Sequence, residues 1–213
     1  MKLTQLMDGL NVLKISGEAS GEISGVCFSA EACEKDSLFV AIRGLKNDGH
    51  DFIDEAISRG AKCIVHEKDR PFPQPVTALK VSDSRRALGI LAKNYFGHPS
   101  AGLALIAVMG TNGKTTITFL LESILKEAGF HCGVLGTINY RYKDKTYSAP
   151  NTTPESYEMQ KILRAMLDEG VTHVVAEVSS HAVDLKRVDD CDFDLGVFTN
   201  LTRDHLDYHL TME

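Results

Sequence analysis

The stretch Gly110-Thr111-Asn112-Gly113-Lys114-Thr115-Thr116 lies between an apolar run, Leu103 to Met109, and a segment whose apolar residues recur at helical spacing. A turn in that place brings the first backbone N–H groups of a helix, and the positive end of its dipole, to one point, which makes an anion site. The glycines let the backbone close around phosphate oxygens, Lys114 can neutralise the β and γ oxygens of a nucleotide, and the Thr115 hydroxyl is placed to ligate magnesium. Val108 stands where the first glycine of the longer G-x-x-x-x-G-K-[ST] pattern belongs, so the turn is a shorter relative of that loop. Glu177 ends a second apolar run, His173 to Ala176, and should emerge at the same sheet edge, where a magnesium ligand is its natural role. A third run leads into Asn200-Leu201-Thr202-Arg203-Asp204-His205-Leu206-Asp207-Tyr208-His209. Its imidazoles and carboxylates suit a second metal or the orientation of phosphate, although by residue type alone a polar surface loop is the commoner outcome.

These groups need a scaffold, and the pattern around them supplies one. Leu103 to Met109 is continuously apolar, as a strand covered on both faces of a parallel sheet would be. Ile117, Leu120, Leu121, Ile124, Leu125 and Ala128 predict a helix ending at Gly129, followed by a strand over Cys132 to Ile138. Thr153 as N-cap with Pro154 in the first helical position predicts a helix whose Met159, Ile162, Leu163 and Met166 share a face, stopped by Gly170. Strands over His173 to Val178 and Phe193 to Phe198 complete a repeated β-α alternation, which means a mostly parallel sheet with ligands at the carboxyl ends of its strands.

Before this lies a smaller lobe. Asp36 to Ile42 reads as extended and Gly44 to Gly49 as a turn. Asp51 to Arg59 reads as a helix closed by Gly60, and Ala61 to Val65 as a buried strand. Pro71, Pro73 and Pro75 interrupt regular structure before a strand over Val76 to Val81. Ser82 or Asp83 would cap a helix running to about Tyr95, and Gly97-His98-Pro99-Ser100 reads as a linker. The fold class expected is α/β: a small N-terminal α/β domain over residues 1–100, then part of a mostly parallel-sheet, P-loop-like ATPase domain over 101–213.

Composition narrows the function. With 213 residues, 43% hydrophobic and 24% charged, the chain has the make-up of one or two globular domains. Its 23 Lys and Arg against 29 Asp and Glu give a net charge of -6, which leaves no basic footprint for nucleic acid or an anionic membrane, so any anion must be held locally. No apolar run approaches the ~20 residues that span a bilayer, and the amino terminus lacks the apolar core of a signal peptide, so a cytoplasmic location is expected. The five cysteines, Cys27, Cys33, Cys63, Cys132 and Cys191, lack paired metal or redox spacing and are expected to be buried free thiols.

At four places the sequence resembles the Mur ligases of peptidoglycan synthesis: Gly110 through Thr116; Asn151-Thr152-Thr153-Pro154; Glu177-Val178-Ser179-Ser180-His181 continuing through Leu185-Lys186-Arg187-Val188; and Asn200 through His209. The phosphate loop is shared with folylpolyglutamate ligases, whereas the second and third motifs resemble the family members that add the third residue of the peptide. Leu38-Phe39-Val40-Ala41 and Asp48-Gly49 are similar to the family's uridine-diphosphate-binding domain. The resemblance implies that Gly110, Thr111, Asn112, Gly113, Lys114, Thr115 and Thr116 hold ATP, that Thr115 and Glu177 share one Mg2+, and that His205 ligates a second. It implies that Asn151, Thr152, Thr153, Ser179 and Arg187 contact UDP-N-acetylmuramoyl-L-alanyl-D-glutamate. Lys114, Glu177 and His205 would be the catalytic groups. The implied reaction passes the ATP γ-phosphoryl group to a substrate carboxylate, and the amine of diaminopimelate or lysine then displaces phosphate to form an amide.

Two departures accompany the resemblance. Where the family carries Asp-Ser-Arg, this chain reads Ser29-Ala30-Glu31, so a cation expected near the uridine diphosphate is replaced by a carboxylate. The lysine that the family carbamylates and its amino-acid-binding domain are not among these 213 residues, so the isolated chain is expected not to form an amide. The alternatives are a non-catalytic nucleotide or precursor-binding module, and another acid-amino-acid ligase such as a folylpolyglutamate synthetase. Asn151-Thr152-Thr153-Pro154 argues against the latter.

Overall fold

The computed structural model describes residues 1–44 and 47–211, in two units, Met1–His98 and Pro99–Glu213. Leu45 and Lys46, within the turn expected over Gly44 to Gly49, lie outside the described residues.

Unit 1 contains helix α1 (Leu3–Leu6), strands β1 (Lys14–Ser16), β2 (Val26–Cys27) and β3 (Leu38–Val40), helix α2 (Ile53–Ser58), strands β4 (Cys63–His66) and β5 (Thr77–Lys80), and helix α3 (Ser84–Tyr95). Its sheet runs β1-β5-β4-β3-β2, parallel except where β1 meets β5. Leu38, Phe39 and Val40 are fully buried, as strand residues covered on both faces must be. The Asp83 carboxylate accepts the Arg86 N–H at 3.0 Å and so starts α3, the side-chain cap worth about 1 kcal/mol at such a position. The helix expected from Asp51 begins differently. Gly49–Phe52 is a 3-10 turn capped by the Asp48 carboxylate at the His50 N–H, and only Ile53–Ser58 is α-helical. The cap sits two residues from its donor, which favours the tighter winding.

Unit 2 contains β6 (Ala104–Met109), α4 (Lys114–Glu127), β7 (Cys132–Leu135), β8 (Asn139–Tyr142), β9 (Lys145–Ser148), α5 (Ser156–Asp168), β10 (His173–Glu177), α6 (Ser180–Asp184), β11 (Leu195–Phe198) and α7 (Leu206–His209). The sheet order is β11-β6-β10-β7-β8-β9. Its first four strands are parallel, and the last two form an antiparallel hairpin. The apolar runs now have a reason. Ile106, Val108, Val134 and Val175 face Ile117, Leu121 and Leu125 of α4, whereas Leu105, Leu135, Val174 and Ala176 face Met159, Leu163 and Met166 of α5. Alternate residues of one strand thus serve two helices, and truncating a buried leucine such as Leu163 to Ala would cost about 2–5 kcal/mol.

Three expectations are corrected. The strand expected to reach Ile138 ends at Leu135, and residues 139–148 fold back as the hairpin, burying Tyr140 and Tyr142 on alternate positions. Leu120 and Ile124, expected on the packed face of α4, are 54% and 63% exposed, because the face toward the sheet is set by Ile117, Leu121 and Leu125. Thr153 does not cap α5: Glu155 occupies that position, and the Thr153 hydroxyl is engaged by β10 and Ser179 instead. Among the described residues no helix is long and apolar enough to cross a membrane.

Candidate active site

The parallel strands β6, β7, β10 and β11 end at one edge, and the chemistry-bearing residues lie just beyond their carboxyl ends. After β6, Gly110 turns at φ +130° in close contact with the segment following β11. A Cβ there would overlap the Thr199 hydroxyl and lie 2.8 Å from the Asn200 carbonyl. That segment holds the loop. The Thr111 N–H donates to the Asn200 carbonyl at 3.0 Å. The Asn200 side chain makes two bonds to the backbone of one residue, its Oδ1 accepting the Asn112 N–H at 3.1 Å and its Nδ2 donating to the Asn112 carbonyl at 3.0 Å. The Thr199 hydroxyl donates to the same carbonyl at 2.7 Å, and the Thr202 N–H donates to the Thr111 hydroxyl at 2.9 Å. With the Thr111 and Asn112 amides so engaged, the groups left for an anion are the first N–H groups of α4, which a helix start cannot satisfy internally. Lys114 folds back, donating from Nζ to the Gly110 and Thr111 carbonyls at 2.7 and 3.0 Å. Thr116 is exposed on the first turn of α4.

Glu177 closes β10 with 2% of its surface exposed, and a buried carboxylate is tolerated only with donors. It has them: Oε2 accepts from the hydroxyls of Thr115 at 2.9 Å and Thr137 at 3.0 Å, and Oε1 accepts the Thr137 N–H at 3.2 Å. Gly136 leaves room for this carboxylate, since a Cβ there would overlap Oε1. The Thr137 hydroxyl also meets that of Thr152 at 3.1 Å, which carries the chain of bonds into Asn151-Thr152-Thr153. Thr153 donates to the Glu177 carbonyl at 2.9 Å and accepts the Ser179 N–H at 3.1 Å, and Arg187 donates to the Thr153 carbonyl at 3.1 Å while pairing with Glu155. Asn151 is exposed, and its carbonyl accepts the Tyr140 hydroxyl.

His205 stands apart from this chain. It opens α7 from a left-handed backbone at φ 52°, with half of its side chain exposed and Nε2 3.7 Å from Asp204. A cleft of about 310 Å³ is bounded by Gly110, Thr111 and Lys114 on one side and Ser179, Asp204 and His205 on the other. His181 packs edge-on against His205, with ring centroids 4.7 Å apart. Burial, and then the neighbouring His205 and His209 imidazoles, hold His181 below the usual histidine value.

Thus Lys114, Ser179 and His205 share a cleft, while Thr115, Glu177, Thr152, Thr153, Ser179 and Arg187 are joined by hydrogen bonds. Sequence inspection passed over Thr137 and the holding roles of Thr199 and Asn200. The available clue was position: each lies within two residues of the end of a strand of the same parallel set. The Thr115 hydroxyl and Glu177 carboxylate are hard oxygens within one ligand radius of a common point, a fit for Mg2+. Among the described residues no group of three His, Cys, Asp or Glu converges on a metal, so such an ion would draw its remaining ligands from phosphate and water.

In unit 1, a pocket of about 390 Å³ is lined by Phe28, Ser29, Glu31, Ile42, Phe52 and Glu55. The turn Ala30–Ala32 thus presents a carboxylate, not a cation, to it. Asp48 lies nearby in sequence but is held by Lys68 at 2.7 Å and by both the backbone and ring nitrogens of His50. Burial alone would raise its pKa, but the Lys68 and His50 donors overcome this and hold its carboxyl well below the ordinary range.

Comparison with known proteins follows these two regions. The Mur ligase middle domain matches residues 108–213, and the Mur ligase family catalytic domain matches residues 22–96. The chain belongs to the Mur ligase family. Over all 213 residues it is 46% identical to the UDP-N-acetylmuramoyl-L-alanyl-D-glutamate--2,6-diaminopimelate ligase of Geobacter metallireducens, spanning 42% of that protein. It is 44% identical to the enzyme of the same name from Clostridium perfringens, spanning 44% of it. A solved structure of a ligase of that name superposes on the whole chain with TM-score 0.82 at 25% identity, the chain covering 42% of it. The chain therefore spans less than half the length of the Mur ligases it matches. The α/β class and the mostly parallel second sheet agree with the expectation from sequence.

Proposed function

We propose that this chain carries the precursor-binding and ATP-binding parts of a Mur ligase that adds the third peptide residue, diaminopimelate or lysine, to UDP-N-acetylmuramoyl-L-alanyl-D-glutamate. The observation that carries this is the continuous hydrogen-bond chain Thr115–Glu177–Thr137–Thr152, which ties the start of the phosphate-loop helix to the segment assigned to the second substrate. A phosphoryl donor on the loop and a carboxylate acceptor near Thr152 would be held in one frame, and holding two reactants in line can supply about 7–11 kcal/mol of a barrier.

In this proposal the first amides of α4 receive phosphate oxygens, and Lys114 turns from the Gly110 and Thr111 carbonyls to the γ-phosphoryl oxygens. Thr115 and Glu177 would hold one Mg2+ and His205 would contribute to a second, which when bound neutralise charge on the transferring group. Ser179 and Arg187 orient the acceptor, Arg187 through its bond to the Thr153 carbonyl and its remaining donors. The N-terminal domain, residues 1–100, would take the uridine diphosphate, and residues 101–213 the ATP.

The test is calorimetry on the chain with Mg-ADP and, separately, with UDP-N-acetylmuramoyl-L-alanyl-D-glutamate. Saturable binding of both, with the nucleotide signal lost when Mg2+ is chelated, supports the proposal; binding of neither removes it. Binding of precursor alone would favour a non-catalytic precursor-binding module.

A further inference from the structure

We propose that Cys27 and Cys33 form a reversible disulfide, a modification site in unit 1 driven by a small disulfide of the glutathione class. This is independent of the ligase assignment. The two sulfurs stand 2.8 Å apart, in direct contact. Rigid elements hold them there. Cys27 ends β2, paired to Phe39 of β3, and Cys33 closes the 3-10 turn Ala30–Ala32 with its N–H on the Ala30 carbonyl at 3.1 Å. Side chains on two ordered backbones need little movement to reach bonding distance, which is the usual obstacle to forming a disulfide.

The pair is also chemically unequal. The hydrogen bond from Cys27 lowers the Cys33 thiol, with Ser37 and the Arg59 charge adding to this against burial, whereas the same contact and burial push Cys27 up. Cys33 is therefore the attacking sulfur; it is itself buried, 6% exposed, but lies directly beneath the surface between the exposed residues Ala32 and Glu34. Its thiolate attacks one sulfur of the small disulfide and expels a small thiolate, leaving a mixed disulfide on Cys33. Cys27 then attacks the Cys33 sulfur, giving its proton to solvent, and the second small thiolate departs. Two protein thiols are oxidised, one small disulfide is reduced to two thiols, and the two protein protons end on them.

The other cysteines are poor competitors. Burial pushes the Cys63 thiol up to about 12, and burial with the Glu122 carboxylate pushes Cys132 up to about 11. Cys191, half-buried, accepts from the Gln160 amide at 3.5 Å, in the other unit of the chain. Closing the bond would tether Phe28 through Ala32, including the pocket wall at Ser29 and Glu31, and would restrict the unfolded chain, so unit 1 should melt several degrees higher.

The test uses the folded 213-residue chain incubated with oxidised glutathione, then denatured, alkylated and weighed. Three alkylated thiols instead of five are expected, with full recovery after dithiothreitol. Cleavage after Glu31, the acidic residue between the two cysteines, should leave two peptides joined by a reducible bond. Cys27→Ser should stop at glutathione held on Cys33, and Cys33→Ser should carry none at Cys27. Five alkylated thiols after oxidation, or a bridge containing Cys63, Cys132 or Cys191, overturns the proposal. The native-chain mapping decides it even if either variant fails to fold.

Discussion

The two ends of the candidate active site are built differently. At the Glu177 end a carboxylate on the last residue of a central strand is buried and fully bonded by Thr115 and Thr137, whereas at the His205 end an imidazole on a short helix is half exposed and touches Asp204 only at 3.7 Å. A group at the end of a central strand inherits the strand's rigidity and is oriented before any ligand arrives. A group on a four-residue helix is oriented by what binds it. Mutations at the two ends should therefore separate stability from binding.

The largest effect is expected at Glu177. Glu177→Ala leaves the half-buried Thr115 hydroxyl and the hydroxyl and N–H of the exposed Thr137 without their acceptor and opens space beside Gly136, and should cost about 1–3 kcal/mol of stability together with Mg2+-dependent nucleotide binding. Chemical denaturation and calorimetry in the same buffer read both. A stable variant that still binds Mg-ADP would erase the contrast between the two ends.

Lys114→Ala comes next. Its amine touches only carbonyls of its own loop, so Mg-ATP affinity should fall by a factor of about 10–100 while the melting temperature stays put. Unchanged affinity in the folded variant would mean that the loop holds no phosphate.

Asn200→Ala sharpens the comparison, because this side chain belongs to the His205 segment yet holds the loop at the other end. Loss of its two bonds to Asn112 should weaken nucleotide binding by about 1–2 kcal/mol, with Asn200→Asp intermediate because it keeps only the acceptor. An equal loss in both variants would assign the effect to the donor alone.

In unit 1, changing Ser29-Ala30-Glu31 to Asp-Ser-Arg should tighten uridine diphosphate binding by about 1 kcal/mol, since the charge reversal acts at a partly exposed pocket wall. Titration of parent and variant at one ionic strength measures it. The same unit should show an acid-side slope from Asp48. Its folded pKa lies below the unfolded one, so its contribution is present above the ordinary carboxylate range and is lost as pH falls below about 4. Asp48→Asn should flatten that slope in denaturation curves collected from neutral to acid pH. The smallest effect is that of His205→Ala on stability, within about 0.5 kcal/mol, as for an exposed residue without strong partners. A large loss there would show that the His205 end is as preorganised as Glu177.

The sequence alone was sufficient wherever the determinants were local. A continuously apolar strand, a glycine turn and a helix that stops at a glycine are set by neighbours a few residues apart, so β6, the Gly110–Thr116 turn and α4 were legible, and the cap of α3 was narrowed to Ser82 or Asp83, of which the structure uses Asp83. The α/β class followed from their alternation. What the tertiary structure decided involves partners far along the chain. Thr153 has the residue type and following proline of a helix cap, yet β10 and Ser179, some 24 and 26 residues away, claim its hydroxyl. Leu120 and Ile124 fit the helical period as well as Leu121 does, and only the position of the sheet determines which stripe is buried. Thr137 carries no motif and becomes a bridge between Glu177 and Thr152 because β7 and β10 pair in parallel and end side by side. Local propensity is a sum over near neighbours, and hydrogen bonds across a sheet edge depend on register, which the packing of the two helices on its faces sets.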